Sequence, residues 1–237
     1  MFNKRHIVRT IAATVSILAL SFTAACGSGQ STASNSTDSD DITQQTYKPG
    51  KLTIATGQPA YEPWVMNDKP ESGEGYEAAV AYAVADKLGF KKSDVVWTRT
   101  AFDTAIAPGA KDWDFNIQQF GITDERKKAV DFSSSYYNDS QSVVVKKDSK
   151  FANATKVSDL KDATVGVMVG TLAYDYAKAN IKDDIQTFND DAALAQALDA
   201  GQIDALVTST VECVYMVQSE QVKASKVLGR LPDSEDK

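Results

Sequence analysis

Histidine and cysteine are scarce in this chain, which excludes several classes of catalytic site. Its 237 residues include one histidine, His6, which lies in a basic N-terminal stretch. If that stretch is a leader that is removed, no imidazole remains, and Ser-His-Asp catalysis, Cys-His catalysis and His-ligated metal sites are excluded. The two cysteines are Cys26 and Cys213. If Cys26 is acylated, no disulfide framework exists, and Cys213 is expected to be an inert buried thiol.

Positive charge is also in deficit. The chain has 25 Lys+Arg against 32 Asp+Glu, a net charge of −7 and a pI near 4.8. Nucleic acid phosphates would be repelled by such a surface, so the composition favours a small-molecule ligand over a nucleic acid. A hydrophobic share of 43% is sufficient for a sizeable core, in one large domain or two small ones.

The apolar run at residues 11–20 is too short for a spanning helix, which needs about 20 apolar residues. Lys4, Arg5 and Arg9 precede it, and small residues lead from it into Cys26. This order is typical of a secretory signal, and the end of it resembles a bacterial lipobox. We therefore expect lipid attachment at Cys26 and anchoring on the outer face of the cytoplasmic membrane. Plain secretion with an unmodified cysteine is the alternative.

The remainder of the chain predicts an α/β fold. Residues 26–50 are polar and are expected to form a flexible tether, with folding from about Lys51. Strands and helices then alternate, which indicates crossover connections and a mainly parallel sheet. On the first helix, Tyr76, Val80, Ala83, Val84 and Leu88 are expected to share the buried face. The predicted strands are 52–56, 95–97, 113–117, 141–146, 164–169, 185–188 and 203–207, and the predicted helices are 76–88, 101–106, 172–179 and 191–200, with a charged helical turn at 124–128.

From about residue 51 to the end, the chain resembles a known family. The segments that carry the resemblance are 51–56, 61–64, 75–89, Phe102, Asp114, 121–133, 136–137, 165–167, 170–171 and 201–205, of which 121–133 is the specific part. In order and spacing they are similar to the family 3 extracellular solute-binding proteins of polar amino-acid ABC transporters. The resemblance implies that the chain captures an amino acid or similar solute and delivers it to permease subunits. It also implies a monomer that needs no cofactor and catalyses no reaction.

The resemblance also implies the fold. It is the type II periplasmic-binding-protein-like fold, in which two α/β lobes are joined by a hinge of crossing strands and clamp the ligand between them. Mapped onto this chain, residues 1–25 are a lipoprotein signal peptide, 26–50 the tether, 51–142 lobe one, and 143–230 lobe two with the first hinge strand. Residues 231–237 are expected to begin the return crossover, and the remainder of lobe one is expected to be absent.

Two residues are candidates for binding a ligand carboxylate. Arg126 offers paired guanidinium donors, although an arginine in a charged run is commonly a solvated surface residue. Thr171 follows a glycine between a predicted strand and helix, where it could equally be only a helix cap. The resemblance implies that both contact the ligand carboxylate.

Aromatic and polar residues are the other candidates that the resemblance implies. Tyr61 and Phe102 match rings that sandwich the ligand, and Gln58 and Gly121 match polar or backbone contacts. Core packing is the alternative for the aromatic residues, and it is strongest for the nearby Trp64.

Ser209 departs from the family pattern, which usually has an aspartate there for the ligand ammonium group. A hydroxyl cannot neutralise a buried cation, so three explanations are open. Glu62 or Glu212 supplies the charge, the ligand lacks an α-ammonium group, or binding has decayed. Met168, at a position that is often polar or basic, favours an apolar or sulfur-containing part of the ligand.

Two other functions compete with solute capture. One is a secreted enzyme on the same fold, resembling a prephenate or arogenate dehydratase, in which carboxyls such as Glu62 or Glu212 would perform acid–base work. The other is a sensory or scaffolding ectodomain, or a truncated remnant without function.

Overall fold

The computed structural model describes residues 41–236. The predicted signal peptide, Cys26 and the first part of the predicted tether lie outside the described residues. Within the predicted tether, a 3-10 helix at Ile42–Gln44 is capped by Asp41, and the Tyr47 backbone N–H bonds to Asp114. Ordered structure therefore begins before Lys51.

Lobe one is built on a three-stranded parallel sheet of order β2-β1-β3. Its core combines side chains from these strands with small residues of helix α1, where the buried positions are Glu77, Ala78, Ala81 and Ala85. The elements of lobe one are β1 (Leu52–Gly57), α1 (Tyr76–Lys87), β2 (Val95–Thr100), α2 (Phe102–Ile106) and β3 (Phe115–Asn116).

Lobe two is built on a five-stranded mixed sheet of order β6-β5-β7-β4-β8. Strands β5, β6 and β7 are parallel, whereas β4 is antiparallel to both β7 and β8. The elements are β4 (Asp139–Lys146), β5 (Val165–Met168), α3 (Leu172–Asn180), β6 (Gln186–Phe188), α4 (Asp191–Asp199), β7 (Ala205–Ser209), α5 (Thr210–Gln218) and β8 (Ser225–Asp236).

Both faces of the lobe two sheet are covered by apolar side chains. On β4, Val143 and Val145 face one core cluster and Val144 faces the other, as the alternation of side chains along a strand requires. Leu194, Leu198 and Leu206 lie in the second cluster and are almost fully buried. This lobe is therefore a layered helix–sheet–helix unit.

Four of the six strand pairings among the described residues are parallel, in agreement with the predicted mainly parallel sheet, and the two antiparallel pairings are those of β4 with β7 and β8. Helix α5 and the start of β8 at Ser225 were not predicted. The predicted buried face of the first helix was wrong at two positions. On α1, Tyr76 and Ala83 are exposed, because the small side chains of Ala78, Ala81 and Ala85 let that face of the helix approach the sheet closely. The predicted charged turn is a 3-10 helix at Arg126–Lys128.

All three tryptophans, Trp64, Trp97 and Trp113, lie in lobe one. Trp64 and Trp113 are buried, and the Trp97 indole N–H donates to the Tyr82 hydroxyl over 3.1 Å. Trp64 packs edge-on against the Tyr76 and Tyr137 rings, which supports the core interpretation of this residue.

None of the helices between residues 41 and 236 combines the length and apolar character of a membrane span.

Candidate functional site

A pocket of about 80 Å³ lies between the lobes. Parallel strands place the loops that follow them along one sheet edge, and here the carboxyl edges of the two sheets face each other. Lobe one contributes the loops after β1, β2 and β3, and lobe two contributes the first turns of α3, α4 and α5. Six of the seven predicted ligand contacts line the pocket: Tyr61, Phe102, Gly121, Arg126, Thr171 and Ser209. Gln58 is exposed and does not line it.

Arg126 reaches across the cleft. Its Nη1 donates to the Gly121 carbonyl in lobe one over 2.8 Å, and its Nη2 donates to the Gly170 carbonyl in lobe two over 3.0 Å. The guanidinium also lies 5.8 Å from the Phe102 ring centre and 5.5 Å from that of Phe120, and the two rings stack on each other. These contacts fix a cation at the wall of the pocket.

Thr171 is the N-cap of α3. Its hydroxyl accepts from the Tyr174 backbone N–H over 3.2 Å and donates to the Met168 carbonyl over 2.8 Å. Gly170 precedes it with a φ of +75°, a left-handed conformation that glycine adopts without strain. The helix cap expected from the sequence is therefore present, and the N–H groups at the start of α3 lie at the pocket, where they favour an anion.

Ser209 is also an N-cap, because its hydroxyl accepts from the Glu212 backbone N–H over 3.2 Å. The hydroxyl of Ser209 thus orders the first turn of α5 and carries no charge. Met168, which is buried, lines the same pocket.

Two buried carboxyl groups line the lobe two side of the pocket, at the starts of α4 and α5. The Thr208 hydroxyl lies 2.8 Å from Glu212 Oε2 and 3.4 Å from Asp191 Oδ1, so one hydroxyl bridges both groups. Burial raises the pKa of Asp191 to about 6, and burial together with the nearby Asp191 charge raises the pKa of Glu212 well above its ordinary value. We call these two residues the acidic pair.

Glu62, the other carboxylate considered from the sequence, lies outside this pocket. It accepts hydrogen bonds from the Asn67 backbone N–H, over 2.7 Å, and from the Tyr215 hydroxyl of lobe two. Glu62 therefore joins the two lobes beside the pocket rather than facing the pocket itself.

Comparison with known proteins identifies the family of this chain. Residues 52–209 match the family model for bacterial extracellular solute-binding proteins, family 3. The chain belongs to this family. It is 31% identical over 160 residues to the L-cystine-binding protein TcyJ of Escherichia coli strain K12, covering 67% of this chain and 59% of that protein. It is 32% identical over 225 residues to the glutamine-binding protein of Geobacillus stearothermophilus, covering 86% and 82% respectively.

Solved structures agree with this assignment. This family 3 chain matches an ancestral arginine-binding protein bound to arginine with a TM-score of 0.65 and 31% identity, covering 79% of this chain and 84% of that one. It matches the ancestral amino acid-binding protein AncCDT-1, a precursor of cyclohexadienyl dehydratase, with a TM-score of 0.66 and 31% identity over 79% of each chain. The predicted family and two-lobe fold are confirmed.

Asp191 is the charged residue of this solute-binding protein's pocket that the sequence analysis missed, together with polar lining residues such as Gln118, Gln141 and Thr208. It was interpreted only as the start of a helix, because acidic residues are common in a first helical turn. The available signal was its position after β6, since side chains that follow neighbouring parallel strands meet at one sheet edge.

A second cavity, of about 140 Å³ and mostly apolar, adjoins the pocket and is lined mainly by residues of lobe one. Glu77 of α1 lies in its wall and is fully buried. Its carboxyl group accepts from the Gln119 backbone N–H over 2.8 Å, from the Gln119 amide and from the Tyr136 hydroxyl. Burial raises the Glu77 pKa to about 7 even though these hydrogen bonds favour the charged form. Glu77 therefore holds the loop that leads to Gly121 and the Arg126 contact.

Cys213 is fully buried, with its sulfur 3.7 Å from the Thr208 carbonyl, as the sequence predicted. Burial raises the pKa of its thiol, which disfavours the reactive thiolate. No group of three potential His, Cys, Asp or Glu metal ligands occurs in residues 41–236.

Proposed function

We propose that this chain captures an amino acid or a closely similar solute in the cleft and presents it to the permease subunits of an ABC importer. The observation that carries the proposal is Arg126, whose guanidinium bridges both lobes at the pocket. A carboxylate bound there would contact lobe one through Arg126 and lobe two through the start of α3, so binding would favour closure of the hinge. The names of the relatives, which bind cystine and glutamine, support an amino-acid ligand.

The remaining roles belong to the same proposal. We infer that Tyr61 and Phe102 form the pocket walls, that Gly121 and Thr171 position the carboxylate, and that Ser209 contacts the ligand through its hydroxyl. We also infer that the chain is exported and anchored by a lipid at Cys26, and that it binds as a monomer.

The test is thermal unfolding of the purified full-length protein with L-cystine, L-arginine, L-glutamine and L-histidine, each at 1,000 times an expected micromolar Kd. Saturation by a ligand at that excess stabilises the folded state by about 4 kcal/mol, so one of these amino acids should raise the melting temperature by several degrees. The matching amines, which lack the carboxylate, are the control and should leave it unchanged. If no amino acid shifts the melting temperature, the proposed function is wrong.

The enzyme alternative is tested separately, because the cleft contains a buried carboxyl, Glu212, with a raised pKa. We expect no loss of prephenate when it is incubated with the protein at pH 6 to 8, since Asp191 and Glu212 share the Thr208 hydroxyl on one side of the pocket and are not placed as an acid and a base on opposite sides of a substrate held at Arg126. Absorbance of the aromatic product measures turnover. Measurable turnover that disappears in Glu212→Gln would favour a dehydratase over a binding protein.

A further inference from the structure

The pocket holds one fixed cation and two carboxyl groups, an arrangement that suits a zwitterion. Arg126 belongs to lobe one, whereas Asp191 and Glu212 belong to lobe two, where their side chains are only 6% and 7% exposed. Two adjacent buried carboxyls do not both ionise, because like charges in a low-dielectric site repel strongly. The bridging Thr208 hydroxyl can donate to one of them at a time, which leaves room for a proton on the other.

The sites that could otherwise accept an ammonium group do not fit this role. Ser209 is uncharged and its hydroxyl caps α5, while Glu62 is held outside the pocket by Asn67 and Tyr215. The buried Tyr61 hydroxyl lies beside the start of α4, where Asp190 and the Ala192 backbone are its polar neighbours. A cationic donor that enters between Tyr61 and the acidic pair would therefore also lie near this oxygen.

We propose that the Asp191–Glu212 pair carries one shared proton and accepts the α-ammonium group of the ligand, a role that Ser209 cannot take. The inference rests on the proposed function, because it assigns the residues that bind the ammonium end of the ligand whose carboxylate contacts Arg126. With Arg126 at one end and one net negative charge at the other, the pocket neutralises an α-amino acid zwitterion and rejects analogues that lack the ammonium group.

The charge of the acidic pair makes binding depend on pH. Other titratable or charged groups that lie around the pair are Asp190 at the N-cap of α4, Cys213 on α5, Asp139 on β4, and Glu77, Tyr61 and Arg126 from lobe one. Arg126 is the one cation in this group, so repulsion between negative charges dominates around the pair. At neutral pH the pair has one negative charge. Below about pH 6 a second proton binds to it, and this proton must leave before an ammonium group can enter.

The first measurement is the Kd of the full-length protein for the four amino acids, by calorimetry between pH 4.5 and 8. The Kd should be constant near neutral pH and rise about tenfold per pH unit below about 6, and in that range the protein should release a proton to the buffer when the ligand binds. A flat profile down to pH 5 would overturn the shared-proton pair.

The second measurement compares Asp191→Asn, Glu212→Gln and the double variant at pH 7. Each single variant keeps one carboxyl that can ionise, so its Kd should rise less than about tenfold, whereas the double variant should lose at least about 100-fold. If one single variant loses as much as the double variant, one carboxylate acts alone and the pair is wrong. Asp175→Asn, which removes an exposed carboxylate from the first turn of α3, is the control and should bind as the wild type does.

The des-amino acids glutaramate, imidazolepropionate, guanidinovalerate and dithiodipropionate separate this inference from the proposed function. They should bind the wild type more weakly than the matching amino acids do, because the negative charge of the acidic pair is then left without a cation. They should bind the double variant no more weakly than the wild type, and this binding shows that the variant pocket is intact. If an amino acid binds the double variant as tightly as the wild type, only this inference fails. If no amino acid binds the wild type, the proposed function fails and this inference fails with it.

Discussion

Arg126→Met should abolish amino-acid binding, with a rise in Kd of at least about 100-fold. The change removes the guanidinium that bonds to Gly121 in lobe one and to Gly170 in lobe two, and it would leave a ligand carboxylate buried without a cation. Calorimetry with the amino acids of the thermal-shift panel measures the loss. The ligand-free melting temperature should change little, because Arg126 lies at the pocket wall rather than in either apolar core.

Two further variants sharpen this result. Arg126→Lys keeps the positive charge but loses the planar pair of donors, so binding should weaken by about tenfold rather than disappear. Lys127→Met removes the neighbouring cation of the same 3-10 helix, whose partner Asp124 is exposed, and should leave Kd unchanged. Equal losses in the Arg126 and Lys127 variants would show that general positive charge, not a specific contact, attracts the ligand.

Glu77→Ala should lower the free energy of unfolding by about 3 kcal/mol. The change removes a fully buried acceptor of three hydrogen bonds, so the Gln119 and Tyr136 donors lose their partner. It also opens a small cavity. Glu77→Gln keeps an acceptor there and should recover most of the loss. Glu74→Ala, an exposed substitution just before α1, is the control for the removal of a carboxylate. Denaturant unfolding measures all three variants.

The same residue should make stability depend on pH. The Glu77 pKa is about 7 in the folded chain against 4.5 as its ordinary value, so the folded state binds more protons between these two values. The free energy of unfolding should therefore fall as pH rises from about 4.5 to 7, by about 3 kcal/mol from this group. Asp191 and Glu212 act in the same direction, so the contribution of Glu77 is the difference between the wild-type and Glu77→Gln profiles. Superimposable profiles would contradict it.

The strands and the cleft cation were predictable because their signals are local. Valines at 143–145, 165 and 167 indicate buried strands from composition alone, and Arg126 lies in a motif whose spacing is specific. The buried face of α1 was predicted only in part, since Val80, Val84 and Leu88 pack against the core as partly buried side chains, whereas the fully buried positions are Glu77 and three alanines. That arrangement depends on how closely the helix approaches the sheet, which is a long-range property.

The acidic pair was likewise not predictable from local sequence signals. Asp191 and Glu212 are separated by twenty residues in the chain and meet only because β6 and β7 end at the same sheet edge. Each alone is an ordinary first-turn acid. Their shared environment, and therefore their altered protonation, is created by the topology of lobe two.

Because every tryptophan lies in lobe one, tryptophan fluorescence reports on that lobe separately from lobe two. Indole emission excited at the red edge of the absorption band arises from Trp64, Trp97 and Trp113 alone, so it follows the unfolding of lobe one and is silent for lobe two. Far-ultraviolet dichroism contains signal from both lobes, including helices α3 to α5. A single denaturation series recorded by both probes thus resolves whether the lobes unfold together or one after the other, with no added label.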